Sequence, residues 1–195
     1  EAQLTPIANN LPQLSAQATV HHDISVDCGP VRFTGRVATQ QDLVLEATFS
    51  KVSRRRTIGL WLQLLALAAT DDRPWQGLLV GRGGRFALRG PDQASAHELL
   101  GRWIRLYRIG LDAPLPLPLD FGAQLAELLR TGRDPMAAVR ELRQAYDSPG
   151  RHWTRFFARV DDLLAVPMGD DDLDQPSETR LACAAARLIW HPISA

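Results

Sequence analysis

The chain has 195 residues, 45% of them hydrophobic, with 22 basic and 22 acidic side chains and a formal net charge of zero. This length suits one sizeable core and is too short for us to expect two separate domains. Neutrality excludes an argument for nucleic-acid binding from net charge, although a local cluster of charges can still bind it. No run approaches the ~20 apolar residues of a membrane span and no signal peptide is visible, so we expect no membrane contact. Because the sequence begins at Glu1 and not at Met, we expect a piece of a longer protein.

The two cysteines, Cys28 and Cys183, are too few for a disulfide framework or a structural zinc site. We therefore expect two reduced thiols and a cytoplasmic protein.

The first thirty residues divide into a connector and a strand. Residues 1–14 carry prolines and asparagines without any period, which is typical of a connector. Residues 18–26 alternate in polarity and predict a strand. Its neighbours His21 and His22 point to opposite faces of such a strand, so they cannot chelate one metal ion together. The sequence Cys28-Gly29-Pro30 predicts a turn that returns the chain into the next strand.

Residues 31–49 predict two strands joined by a short polar turn. Alternating apolar positions favour a half-buried antiparallel pair. These positions are Val31, Phe33, Val37, Leu43, Leu45 and Phe49.

A buried helix follows, with the sequence RRRTIGLWLQLLALAAT ending at Thr70. It is apolar almost all round, so we expect it to lie against the sheet. Arg54, Arg55 and Arg56 open this segment. Free backbone N–H groups at a helix N-terminus together with an arginine cluster can hold a phosphate, so these three are DNA-binding candidates. The alternative is that these three arginines belong to a solvated linker between the strand and the helix.

The middle of the chain predicts a hairpin and an amphipathic helix. Residues 75–80 and 85–89 form two strands around a glycine-rich turn that lacks the nucleotide-binding pattern. Asp92 is the expected N-cap of the helix, which should end at Gly110. An apolar face carries Leu99, Leu100, Trp103, Ile104, Leu106 and Tyr107, whereas Arg102, Arg105 and Arg108 share the other face. That row is a second DNA-binding candidate, with a protein-facing or solvated surface as the alternative.

The remainder predicts an extended, proline-rich crossover at 113–119 and then helices. We expect helices at 121–131, 134–146, around Trp153 to Val160, and at 178–190 with Ser177 as N-cap and Pro192 as stop. The acidic run at 169–174 lacks the calcium-loop pattern and is expected to be an exposed loop.

The order of strand, strand and helix resembles the restriction-endonuclease-like PD-(D/E)XK fold, in which acids hold a divalent metal and a lysine assists the nucleophile. In RecB-type nucleases the two strands read Gly-x-x-Asp and Asp-x-Lys. Here the first motif reads Gly35-Arg36-Val37-Ala38 and the second reads Glu46-Ala47-Thr48. Ala38 replaces the acid, Thr48 replaces the lysine, and Glu46 alone keeps a carboxylate. The resemblance implies an α/β mixed sheet flanked by helices, with the chemistry removed.

The chain as a whole resembles the C-terminal domain of the RecC family, the gamma chains of exodeoxyribonuclease V. The segments that carry the resemblance are Phe33-Thr34-Gly35-Arg36-Val37, Leu60-Trp61-Leu62-Gln63-Leu64-Leu65, Leu106 to Leu115, and the helix with Gln144-Ala145-Tyr146. It implies a single nuclease-like domain at 15–195, with a sheet core at about 17–90 and a helical part at about 91–195.

The resemblance further implies a non-catalytic scaffold and DNA-guiding surface in a helicase-nuclease that repairs double-strand breaks. The partners would be the RecB and RecD subunits and double-stranded DNA ends. This chain would need no cofactor, since ATP and magnesium would be used by the partner subunits. The alternative is a divergent active nuclease that uses Glu46 with Asp23, Asp27 or Asp42, and Lys51 as a migrated catalytic lysine.

Overall fold

The computed structural model describes residues 18–137, 139–146, 151–169, 173 and 180–194. The expected connector at 1–14, the Ser177 cap and most of the acidic run at 169–174 lie outside these residues. The chain divides into two compact units, Glu1–Gly101 and Arg102–Ala195. Among the described residues, no helix is both long and apolar enough to cross a membrane.

The described part of the first unit contains five strands and a long helix. The strands are β1 (Val20–Cys28), β2 (Val31–Thr39), β3 (Leu43–Ala47), β4 (Gln76–Gly81) and β5 (Gly84–Arg89). Helix α1 (Arg54–Thr70) connects β3 to β4, and α2 (Gln93–Asp112) follows β5. The boundary between the two units falls within α2. This is an α/β architecture, as the sequence predicts.

Strands β1 and β2 form an antiparallel hairpin of their own. Gly29, at φ +64°, makes the tight turn between them, a conformation that favours glycine. Ile24, Val26 and Val37 are buried on one face of the hairpin, whereas the opposite face is polar and exposed. The predicted strand at 18–26 and its turn are confirmed.

The second sheet has the order β3-β4-β5, with β3 parallel to β4 and β4 antiparallel to β5. The predicted mixed sheet and the hairpin at 75–89 are confirmed. The expected antiparallel pairing of β2 with β3 is wrong, because β2 pairs with β1, and β3 with β4. Only an isolated bridge from Gln40 to Leu43 remains between the segments. Phe49 is also not on a buried face, being 68% exposed.

Helix α1 is the core of the first unit, and its predicted burial is confirmed. Leu60, Leu64 and Leu65 are fully buried, and Trp61 is 3% exposed. The helix packs against β1, β3, β4 and β5. The helix packs tightly on β4 at Gly77, where an added Cβ would lie 3.0 Å from side-chain carbons of two α1 leucines. A side chain at position 77 would therefore force these leucine side chains to shift.

The described part of the second unit is helical. Its helices are α3 (Leu119–Arg130), α4 (Val139–Tyr146), α5 (Val160–Leu164) and α6 (Leu181–Ser194), with a 3-10 turn at Arg151–Arg155. Helices α3 and α6 pack together, and α4 lies against α3. The hydroxyl of Tyr146 donates to the carbonyl of Phe157 and ties α4 to the segment before α5.

Several predicted helix boundaries are wrong. Helix α2 continues past Gly110 to Asp112, and Pro192 lies inside α6 and does not stop it. The predicted continuous helix from Trp153 to Val160 is instead a 3-10 turn followed by α5, with Phe156 61% exposed. Tyr107, expected on the apolar face of α2, is 65% exposed.

Candidate functional site

The three positions that the sequence comparison set against a nuclease motif lie on β2, on β3 and just beyond β3. Ala38 is exposed on β2 and stands opposite His21 in the hairpin register. Glu46 is half-buried near the carboxyl end of β3, and Thr48 follows that strand with 8% of its surface exposed. Of these three side chains, only Glu46 can carry a negative charge.

The Glu46 carboxylate is held by a neighbour on α1. Gln63 Nε2 donates to Glu46 Oε1 at 2.5 Å. This hydrogen bond joins β3 to α1, the helix that packs on it. It also directs the carboxylate toward the amide donor on that helix. Such a hydrogen bond fixes the orientation of the carboxylate. Sequence reasoning missed Gln63, although its position as a lone polar residue in an apolar helix was the available signal.

Thr48, the residue compared with the lysine of the nuclease motif, carries a hydroxyl that organises the turn after β3. Its backbone N–H donates to the Val80 carbonyl at 2.9 Å and extends the pairing of β3 with β4. Its Oγ1 lies 2.9 Å from the Ser50 hydroxyl and accepts a bond from the Ser50 backbone N–H at 3.3 Å. Thr48 therefore stabilises the turn after β3, and it offers no ammonium group for a reacting phosphate.

The acids of the alternative active nuclease lie elsewhere. On the exposed face of the hairpin, Asp23 accepts from Arg36 and Asp27 accepts from Arg32, each at 2.7 Å. The Arg32 hydrogen bond and charge lower the pKa of Asp27 below its usual value. Asp42 precedes β3. Four residues of extended strand separate its Cα from the Cα of Glu46 by about 13 Å. Among the described residues, no group of three or more His, Cys, Asp or Glu side chains is arranged to hold a metal ion.

The first arginine cluster opens α1. Ser53 is the N-cap, its Oγ accepting from the Arg56 backbone N–H at 3.4 Å. Arg54, Arg55 and Arg56 are all exposed. The turn between β4 and β5 lies beside the same segment, because the Arg82 backbone N–H donates to the Ser50 carbonyl at 2.9 Å.

The second arginine row is less accessible. Arg102 and Arg105 are half-buried, and their Nε atoms are shielded from solvent. Only Arg108 of this row is exposed. The row thus has one exposed arginine, whereas the start of α1 has three.

Comparison with known proteins identifies the family. A family model described as the RecC C-terminal domain matches residues 1–130. The chain is 30% identical over 214 aligned positions to the RecBCD enzyme subunit RecC of Mycobacterium tuberculosis, covering 97% of this chain and 19% of that protein. It is 34% identical over 123 positions to the RecBCD enzyme subunit RecC of Mycolicibacterium smegmatis, covering 58% of this chain and 11% of that protein. The chain spans about a fifth or less of these relatives. Since the family match covers well over half of its residues, the chain belongs to the RecC C-terminal domain family.

Proposed function

We propose that this chain is a non-catalytic, nuclease-like PD-(D/E)XK domain that acts as a scaffold and DNA-guiding surface in a RecBCD-type helicase-nuclease. The observation that carries the proposal is the state of the motif positions. Glu46 is engaged by Gln63, Thr48 is engaged in a turn, and Ala38 has only a methyl group. Two-metal or one-metal phosphodiester hydrolysis needs converging carboxylates and a cationic or basic group, and these positions supply one carboxylate.

The proposed setting is a cytoplasmic complex that processes double-strand breaks in DNA repair and recombination. Both relatives carry the name of a RecBCD enzyme subunit, which supports a role within a multi-subunit enzyme. In this proposal RecB and RecD are the protein partners, and they hold the ATP and magnesium sites. The chain itself binds no cofactor and contacts double-stranded DNA ends.

A nuclease assay tests the loss of chemistry. Purified chain incubated with linear duplex DNA and magnesium should leave the DNA intact, and Glu46→Ala should behave as the parent does. The alternative active nuclease predicts magnesium-dependent degradation that Glu46→Ala abolishes. A separate mixing experiment tests the scaffold role, in which the chain should co-elute with purified RecB and RecD. Separate elution from both subunits would contradict that role.

We further propose that duplex DNA contacts Arg54, Arg55 and Arg56 and not the row on α2. The exposure of the first cluster and the partial burial of Arg102 and Arg105 support this assignment. Removing one arginine–phosphate interaction should reduce the slope of log affinity against log salt by about 0.9. Replacing the three α1 arginines with Gln should therefore flatten the slope by up to about 2.7.

The matched control replaces Arg102, Arg105 and Arg108 with Gln. We expect this variant to keep the parent affinity and salt slope. A slope that responds to the α2 row and ignores the α1 cluster would show that the two surfaces were assigned the wrong way round.

A further inference from the structure

We infer that the end of the mixed sheet next to the start of α1 is a binding surface for single-stranded DNA, with Phe49 as a platform on which a base stacks. The inference rests on the proposed DNA role and specifies which form of DNA this surface takes. Three observations carry it. They are the exposed position of Phe49, the cations in the chain segments around it, and the lack of ion pairs between five of those cations and any described residue.

Phe49 is a large aromatic side chain left in solvent at a fixed place. It follows Thr48, whose backbone is bonded to β4, and it precedes Ser50, whose carbonyl accepts from Arg82. Its surface is 68% exposed although both chain neighbours are anchored. A single exposed phenylalanine is ordinary on a protein surface. Its surroundings are what indicate a ligand.

Two chain segments bring only positive charge to this place. Residues 48–56 contribute Lys51, Arg54, Arg55 and Arg56, and residues 81–85 contribute Arg82 and Arg85, with no acid in either segment. Lys51 is two residues from Phe49, which limits their Cα separation to about 7 Å, and Arg54 is within about 18 Å. The backbone bond between Arg82 and Ser50 joins the two segments directly.

Five of these six charges are not neutralised within the described part of the chain. The exposed side chains of Lys51, Arg55, Arg56, Arg82 and Arg85 form no ion pair with any described residue. Elsewhere in the described part of the chain, arginines that pair with carboxylates include Arg32, Arg36, Arg73, Arg130, Arg133, Arg159 and Arg180. A chain with zero net charge therefore keeps a concentrated positive surface at this end of the sheet.

The combination of cations and an exposed ring favours a single strand over a duplex. Cations contact the phosphates of either form. The faces of bases inside a duplex are already stacked on one another, so Phe49 gains nothing from them. Unpaired bases offer their faces to an aromatic ring, and this stacking does not depend on sequence. Phe49 thus adds affinity for the single strand alone, while the cations serve both forms.

The test measures fluorescence anisotropy of the full chain with a labelled oligothymidylate of about 16 nucleotides, and with a labelled duplex of equal length. Phe49→Ala should weaken single-strand binding about 5- to 100-fold, and Phe49→Tyr should restore it. Duplex affinity should stay unchanged in both variants. Phe156→Ala removes another aromatic ring, 61% exposed, and is the matched control that should change neither affinity. Replacing Arg55 and Arg56 with Gln should weaken both forms of DNA.

Three results would overturn the inference, and they differ in what they say about the proposed function. Duplex binding that requires Arg55 and Arg56 while Phe49→Ala leaves both affinities intact would overturn the stacking surface and leave the DNA-guiding role standing. No binding of either DNA at low salt would overturn both. If the Phe49→Ala variant binds both forms of DNA as the parent does but no longer co-elutes with RecB or RecD, Phe49 belongs to a protein interface.

Discussion

Replacing Trp61 with alanine should cost roughly 3 kcal/mol of unfolding free energy. The indole is 3% exposed in the middle of α1, and the flanking Leu60, Leu64 and Leu65 are fully buried, so removing the indole leaves a cavity in the core. Removing a large buried aromatic side chain costs about 3–5 kcal/mol. The Trp61 N–H is buried without a hydrogen-bond partner among the described residues. Losing that group recovers about 1–3 kcal/mol of desolvation cost, which places the expected loss at the low end.

Trp61→Phe separates the two contributions. It keeps most of the apolar volume and removes the buried N–H, so we expect it within about 1.5 kcal/mol of the parent. Urea unfolding followed by circular dichroism measures both variants, with Phe156→Ala as an exposed control expected within about 0.5 kcal/mol. A Trp61→Ala protein within about 1 kcal/mol of the parent would refute the position of α1 in the core. A Trp61→Phe protein as unstable as Trp61→Ala would show that the indole N–H does form a bond.

The remaining predictions concern packing, thiol chemistry and acid stability. Gly77→Ala should destabilise the chain by about 1–3 kcal/mol in urea unfolding, because the new methyl meets α1; Gly59→Ala, with open space around its Cβ, should instead stabilise it by about 0.5–1 kcal/mol. Burial, and then a neighbouring carboxylate, raise the pKa of Cys28, so iodoacetamide should alkylate it more slowly than a free thiol at neutral pH, with the rate still rising at alkaline pH. The Arg73 hydrogen bond lowers the pKa of Asp71, so the stability from this pair is present above the unfolded pKa of about 4 and lost as pH falls through the folded value. Acid unfolding of Asp71→Asn should lack that loss, and an unchanged acid profile would contradict the pair's contribution.

Alternating polarity located the strands of the first unit but not their partners. The pattern from Val31 to Phe49 identified β2 and β3 because each strand buries one face. Pairing depends on length and turn geometry instead. β1 and β2 are both nine residues long and are joined by the Gly29 turn, so they pair over their whole length. The five-residue β3 is separated from β2 by a turn with Gln41 at φ +55°, and it pairs with β4 instead.

A helix could be predicted from the sequence where its own residue pattern, and not its tertiary contacts, determines that it is buried. Helix α1 is apolar on nearly every side, so any packing arrangement buries it and its existence follows from composition. The region from Trp153 to Val160 has an apolar stripe as well, yet it is split into a 3-10 turn and α5. There the Tyr146 hydroxyl bonds to the Phe157 carbonyl, which is a tertiary contact that no local pattern encodes.

The sequence predicted which residues of the candidate site lie near one another along the chain, but not the contacts that they make with distant residues. Spacing singled out Glu46 and Thr48, since the motif with which they were compared occupies one strand. The partners that determine their state come from distant positions, Gln63 from α1 and Val80 from β4. Arg82 was recognised only as part of a glycine-rich turn, because its proximity to Ser50 arises from the parallel pairing of β3 and β4.

Local charge, not the total, decides whether a neutral chain can guide DNA. Counting gives 22 basic and 22 acidic residues and predicts no attraction. Ion pairs on other surfaces, however, engage arginines and carboxylates together, while the two segments that meet near Phe49, residues 48–56 and 81–85, contain cations and no acid. Glu46, the one carboxylate among the three compared positions, is turned to the Gln63 amide on α1. On the proposed function, Ala38 and Thr48 stand where an active nuclease has an acid and a lysine, whereas the cations that attract phosphate lie at other positions. Loss of cleavage and retention of a DNA-guiding surface are then compatible in one domain, because different residues are responsible for each.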